Sequence, residues 1–187
     1  MAHSNLFSNF DFSQLNNPDF KEDSVREVLI LPILQSLGYH DDNIVRSKSL
    51  QHPFIKIGSK KRQINIVPDY LLKIENTYAW VLDAKGPNED IKQGENVEQV
   101  FSYSIHPDIR TKYFSLCNGR EFILFRQDTE VPILFFDISE IDRYWYKLES
   151  LLSPSSFQVG KSFSYDVVKE FGGIDYKTFD YSKRPLL

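Results

Sequence analysis

The chain has 187 residues, enough for one domain with a tail, and its 41% apolar and 14% aromatic content supports a sizeable core and excludes a disordered polymer. A formal net charge of -4 argues against a protein that coats nucleic acid by bulk electrostatics, while leaving room for a local basic patch. The lone cysteine, Cys117, excludes an intrachain disulfide; no run of roughly 18 apolar residues predicts a membrane span, and MAHSNLFSNFDF lacks the basic start and apolar stretch of a secretory signal, so the expectation is a cytoplasmic protein.

Residues 1–21 are rich in Asn, Ser and Phe without a period and read as an N-terminal arm docking through its phenylalanines. Asp23-Ser24 are positioned to cap a helix reaching about Leu37, with Val25, Val28, Leu29, Ile33 and Leu37 on one stripe. Pro32 falls inside that stripe and predicts a kink or a division, and Gly38 supplies the stop.

Strand-like runs follow at 43–50, 63–74 and 78–85, the last rich in aromatic and branched residues. Residues 95–106 have a helical pattern closed by Pro107. Strands are predicted at 112–117, 121–126 and 131–136, with Asn118-Gly119 as a two-residue hairpin signal. A final helix at 139–152 carries Ile141, Tyr144, Trp145 and Leu148 at helical spacing, and Pro154 ends it. This order predicts an α/β domain over 22–153, a central mixed sheet flanked by helices, with 154–187 as a C-terminal extension or linker.

One strand carries an anomaly. In WVLDAKGP the alternation of side chains puts Val81, Asp83 and Lys85 on one face, just before a Gly-Pro stop. A hairpin through Glu75-Asn76-Thr77 would make paired positions sum to about 152, setting Tyr70 opposite Leu82 and Asp69 opposite Asp83. Like charges directly opposite each other are destabilising, so the arrangement asks for a purpose. Two close carboxylates suit a hard divalent cation such as Mg²⁺, which takes oxygen ligands and activates water. The neighbouring lysine could orient that water, help deprotonate it, or neutralise charge developing on a phosphate.

Pro68-Asp69 followed by Asp83-Ala84-Lys85 resembles the signature of the PD-(D/E)xK nuclease superfamily. The resemblance is closest to the N-terminal nuclease domain of type I restriction enzyme R subunits and their stand-alone relatives. It is carried by EDSVREVLILPILQSLGY, RQINIVPDYLL, VLDAK, VEQVFSY and SLCNGREFILF, over about residues 22–126. It implies a restriction-endonuclease-like fold and a Mg²⁺-dependent endonuclease, with Mn²⁺ as a substitute. Asp69, Asp83 and Glu27 would hold the metal, Lys85 would activate the attacking water, and Gln99 and Tyr103 of a Q-x-x-x-Y element would place the lysine or the substrate. DNA is the implied substrate, in restriction or defence against foreign DNA, with a motor domain or other restriction-system subunits as partners. Asp83 stands where Glu is more usual in this branch, and Cys117 where threonine is. The helicase motor that continues true R subunits is not in the sequence, which implies an excised domain or a short relative.

Each feature has a plainer reading. Asp83 and Lys85 alone would be a same-face salt bridge at a strand end. Gln99 and Tyr103, four residues apart, could simply be a polar residue and a half-buried aromatic on an amphipathic helix. Lys56, Lys60, Lys61 and Arg62 form the densest basic cluster, read equally as a solvated tip or as phosphate contacts. The four histidines, His3, His40, His52 and His106, lack metal-ligand spacing. The rival functional class is a catalytically silent or partner-dependent nucleic-acid-binding or assembly module with the same fold.

Overall fold

The computed structural model describes residues 6–51 and 65–157. The basic cluster Lys56, Lys60, Lys61 and Arg62 lies outside these residues, as does the sequence beyond 157. Two short helices, α1 (Glu22–Val25) and α2 (Leu31–Ser36), are joined by a π turn at Arg26–Ile30. The strands β1 (Ile44–Arg46), β2 (Leu50–Gln51), β3 (Asn65–Ile66), β4 (Tyr70–Ile74) and β5 (Thr77–Ala84) follow. Helix α3 (Glu95–Ser104) leads to β6 (Tyr113–Cys117), β7 (Glu121–Arg126) and β8 (Leu134–Asp137), and α4 (Ile141–Leu152) ends the domain.

Six strands make one mixed sheet in the order β1-β4-β5-β6-β7-β8, and β2 pairs with β3 separately. Among the described strands of this sheet the β5–β6 pair is parallel and the other neighbours are antiparallel. A parallel pair needs a crossover, and α3 supplies it. The two faces divide by residue parity along the central strand. Trp80, Leu82 and Ala84 join Leu29, Ile33, Phe122 and Trp145 in one core, whereas Val81 joins Val100, Tyr103, Leu116 and Ile123 in the other. Helices therefore cover both faces of the sheet, with α1, α2 and α4 on the first side and α3 on the second. On the first side the Trp80 Nε1–H donates to Tyr39 Oη at 2.9 Å, and the Tyr39 hydroxyl donates to Leu152 O at 2.7 Å. Those bonds satisfy two large aromatic groups inside the core and tie β5 to the end of α4.

The first helix differs from the expectation in an instructive way. It starts at Glu22 behind Lys21, which makes no side-chain cap, so Asp23 and Ser24 lie inside the first turn instead of capping it. Pro32 has no N–H to give, and the chain meets this by widening the preceding turn: Leu31 N–H donates to Arg26 O, five residues back. The proline then sits at the start of α2, where its ring is tolerated. Val25, Leu29, Ile30, Ile33, Leu34 and Leu37 are buried, while Val28 is turned outward.

Elsewhere, sharp turns shorten the anticipated strands. Ser47, at φ 47°, separates β1 from β2, and Pro68 lies in the break between β3 and β4. The β4–β5 loop is Glu75-Asn76, one residue shorter than expected, with Glu75 at φ 52°. A bulge offsets this: Lys73 pairs with Tyr78 but Leu72 pairs with Trp80, leaving Ala79 as the extra residue. Tyr70 consequently still faces Leu82.

The β6–β7 connection is Asn118-Gly119-Arg120, one residue longer than the hairpin signal implied. The Asn118 carboxamide accepts N–H bonds from Arg120 and Glu121 at 3.0 and 2.8 Å and so replaces part of the backbone turn. The arm seats against this turn. Leu15 is buried, and Phe7, Phe10, Phe12 and Phe20 pack on the same core.

Gly119 has φ +85°, and a Cβ there would meet Leu15 at 3.1 Å and both Leu29 and Val25 at 3.2 Å. Gly119→Ala is expected to cost about 1–3 kcal/mol through strain and crowding, seen as a lower urea midpoint at unchanged slope. An unchanged midpoint would show that the arm and turn do not meet this closely.

Candidate active site

The break before β4 and the carboxyl end of β5 bring Asp69 and Asp83 together. Asp69 N–H donates to Asp83 Oδ1 at 3.2 Å, and Ala84 N–H donates to Asp69 Oδ2 at 2.8 Å. Each carboxylate thus accepts a backbone donor from the other's segment. The cross-strand placement expected from the hairpin register is the one observed, although Asp69 lies in the bend just before β4.

Lys85 follows β5 on the same face as Asp83, held by its N–H donating to Cys117 O at 2.9 Å. This bond continues the parallel β5–β6 ladder one step past the strand. The Lys85 ammonium donates to Asp83 Oδ2 at 2.7 Å and to Gln99 Oε1 at 3.0 Å. Asp83 and Lys85 are only 4% and 7% exposed, so the pair is not the solvated strand-end bridge of the plain reading. Gln99 comes from α3, which covers this face, and one turn further along Tyr103 is buried on the same side of the helix. The lysine is thus held between a strand carboxylate and a helix carboxamide.

The third acid differs from expectation. Glu27 is exposed and faces Arg46, whose Nη1 lies 3.4 Å from Glu27 Oε1. Glu22 instead shares the field of Asp69, Lys85 and Asp83. Five helical residues place two side chains about 140° apart, so one helix cannot direct both acids to the same point. Val28, which the helical stripe placed inward, is itself on the outside. The acid one turn before Arg26 was the better signal, because Arg26 also reaches the site: its Nη1 is 3.6 Å from Asp69 Oδ1.

Glu89 closes the other side. Its carboxylate accepts the Gly86 N–H at 2.8 Å, and its carbonyl accepts from Asn118 Nδ2 at 2.9 Å. Arg120 completes the support, donating from Nε to Pro87 O at 3.0 Å and from Nη2 to Leu15 O and Asn16 Oδ1 at 3.1 and 2.8 Å. Neither residue was singled out by sequence reasoning, since a lone Glu after Gly-Pro and a lone Arg in a turn carry no periodic signal.

Burial, followed by the nearby Asp69 charge, pushes the Asp83 carboxyl above its ordinary range, and Lys85 offsets only part of this. Burial followed by Asp69 acts on Glu22 in the same direction. For Lys85, burial works against the charge, but Asp83 outweighs it and holds the ammonium above the usual lysine range. As it stands, Lys85 is a cationic donor, not a free base. Tyr103 is pushed up by burial and then by Asp83, which keeps it a neutral phenol. Cys117, fully buried, is pushed up to about 12, which removes thiolate chemistry.

No cluster of three His, Cys, Asp or Glu side chains among the described residues forms a ready-made cation cage. What the site offers is two carboxylates, each oxygen retaining a lone pair beyond the bonds above. That donor set fits Mg²⁺, which commonly takes one or two carboxylates and completes its shell with water and phosphate. Asp69 and Asp83 are the residues that could hold it, with Glu22 near enough to act electrostatically or through water.

The Asp83 carboxyl is raised above its ordinary 3.8, so the folded state holds the proton that the unfolded state has lost between the two values. Its contribution to stability is therefore present at low pH and falls as pH rises through the folded value. Asp69→Asn is expected to move Asp83 back towards its ordinary value and flatten this fall, read by carboxyl ¹³C NMR titration. An unmoved Asp83 would show that Asp69 does not act on it. No family model, no curated protein and no solved structure matches the chain.

Proposed function

We propose that the chain is a Mg²⁺-dependent endonuclease domain of restriction-endonuclease-like fold that hydrolyses DNA phosphodiester bonds, in the manner of the R-subunit nuclease domains its motifs resemble. The observation that carries this reading is the Lys85 ammonium bridging Asp83 and Gln99, beside a second carboxylate from the bend just before the adjoining strand. A structural ion pair needs one acid; this one has a second acid pressed against it, at a cost in repulsion.

Asp69 and Asp83 would hold Mg²⁺, which when bound supplies Lewis-acid polarisation and a more acidic water. The protein's own residues do the positioning. Lys85, protonated by its pairing with Asp83, donates to the attacking water or to a phosphate oxygen and offsets the negative charge that grows there. Direct proton abstraction by Lys85 requires that a bound cation first draw away the Asp83 charge. Gln99 fixes the direction of the ammonium, and Tyr103 lies one turn along the same helix face. The water oxygen bonds to phosphorus as the bond to the leaving sugar oxygen breaks; the water proton passes to solvent, and the leaving oxygen takes up a proton from solvent.

A second reading has its own support. Lys85 and Arg26 already sit on the two aspartates, as they would in a catalytically silent module that binds or assembles around nucleic acid. The net charge of -4 leaves little general attraction for a polyanion, so delivery of DNA by a motor domain or other restriction-system subunits in the cytoplasm fits both readings.

Plasmid cleavage in Mg²⁺ or Mn²⁺ separates them. Asp83→Asn and Lys85→Ala are each expected to lower the rate by about 100-fold or more, and Gln99→Ala by about tenfold. Full activity in both of the first two variants would overturn the mechanism. A folded wild type that binds DNA without cutting it would favour the silent module.

A further inference from the structure

Arg26 is the least expected member of the site. It opens the π turn, and its carbonyl accepts both the Leu31 N–H and the Tyr70 hydroxyl, the latter at 3.2 Å. These bonds, and the stacking of its guanidinium 5.7 Å from the Tyr70 ring centroid, fix the side chain's root beside Asp69. At the tip the grip is loose. Nη1 lies 3.6 Å from Asp69 Oδ1, beyond hydrogen-bond length, and 3.3 Å from Asp23 Oδ1, while Nη2 is 3.3 Å from Ser47 Oγ.

The four aspartate oxygens are used unequally. Asp69 Oδ2 has the Ala84 N–H, Asp83 Oδ1 has the Asp69 N–H, and Asp83 Oδ2 has Lys85. Among the described residues, Asp69 Oδ1 has only the distant guanidinium. It is the most available ligand atom, and a cation already stands in front of it.

We infer that Arg26 is an internal counter-ion that competes with a divalent cation for Asp69 Oδ1. The inference rests on the reading of Asp69 and Asp83 as metal ligands. Without the cation, Arg26 limits repulsion between the aspartates. When the cation enters, Arg26 gives way towards Asp23, which is 91% exposed and already shares its Nη1. The device sets the affinity for metal, so the site fills only when metal is abundant or when a phosphate helps to hold it.

The test is isothermal titration of the metal-free chain with Mn²⁺ at fixed ionic strength. Arg26→Gln removes the charge while keeping a polar side chain, and is expected to bind Mn²⁺ about tenfold more tightly than wild type. Arg26→Lys, which keeps the charge, should stay within about threefold of wild type. Asp23→Asn, at an exposed position, releases Nη1 onto Asp69 and should weaken binding, whereas Glu27→Gln, paired elsewhere with Arg46, should leave it unchanged. Tighter binding in Arg26→Gln with weaker binding in Asp23→Asn supports the inference. Equal or weaker Mn²⁺ binding in Arg26→Gln overturns it and leaves the metal-site reading standing. No Mn²⁺ binding by wild type or any variant overturns both.

Discussion

The site depends on two carboxylates from neighbouring segments that accept each other's backbone N–H groups. Asp69 N–H donates to Asp83, and Ala84 N–H donates to Asp69. Bonds from backbone donors to charged acceptors are among the stronger ones in a protein, and here they offset repulsion between the acceptors themselves. They also determine position. A carboxylate held by a strand-end amide cannot rotate away from its neighbour to relieve the repulsion. The surroundings must supply positive charge instead, and Lys85 and Arg26 do so.

That juxtaposition survives only at one register. A slip of one residue between β4 and β5 would turn Asp83 and Lys85 into the core that contains Trp80 and Leu82. Two deviations from regularity cancel to prevent it: the two-residue loop at Glu75-Asn76 removes one position, and the bulge at Ala79 restores it. The irregularity thus lies at the far end of the hairpin, and the regular part leads to the aspartates. Trp80, beside the bulge and hydrogen-bonded to Tyr39, anchors the strand where its pairing changes.

Much of this was legible in the sequence because it follows from period two. Alternation placed Val81, Asp83 and Lys85 on one face, and pairing arithmetic placed Asp69 beside Asp83. The α3 residues were singled out by the resemblance, because a spacing of four says only that they share a helix face. The choice between Glu22 and Glu27 was not, because it turns on where a helix begins and how it passes Pro32. A capping residue that makes no cap and a turn that widens for a proline both shift phase, and neither leaves a periodic trace. Arg26 and Arg120 were hidden for another reason. Their partners, Asp69 and Leu15, are 43 and 105 positions away, so only the folded topology brings them into reach.

The longer of those contacts changes the status of the first residues. An arm that merely docked would leave the site indifferent to it. Arg120 instead spends its guanidinium on both Leu15 and Pro87, joining the arm to the turn that follows Lys85. Glu89, in the same turn, is held by Asn118 and in turn holds the Gly86 N–H. Gly119 lets Leu15 approach closely enough for this to happen, which a side chain there would prevent. The carboxyl end of β5 is therefore braced from two directions, by the aspartate pair on one side and by the arm and the β6–β7 turn on the other. A buried lysine held at two acceptors gains direction from such bracing, because its own side chain has four rotatable bonds and little rigidity.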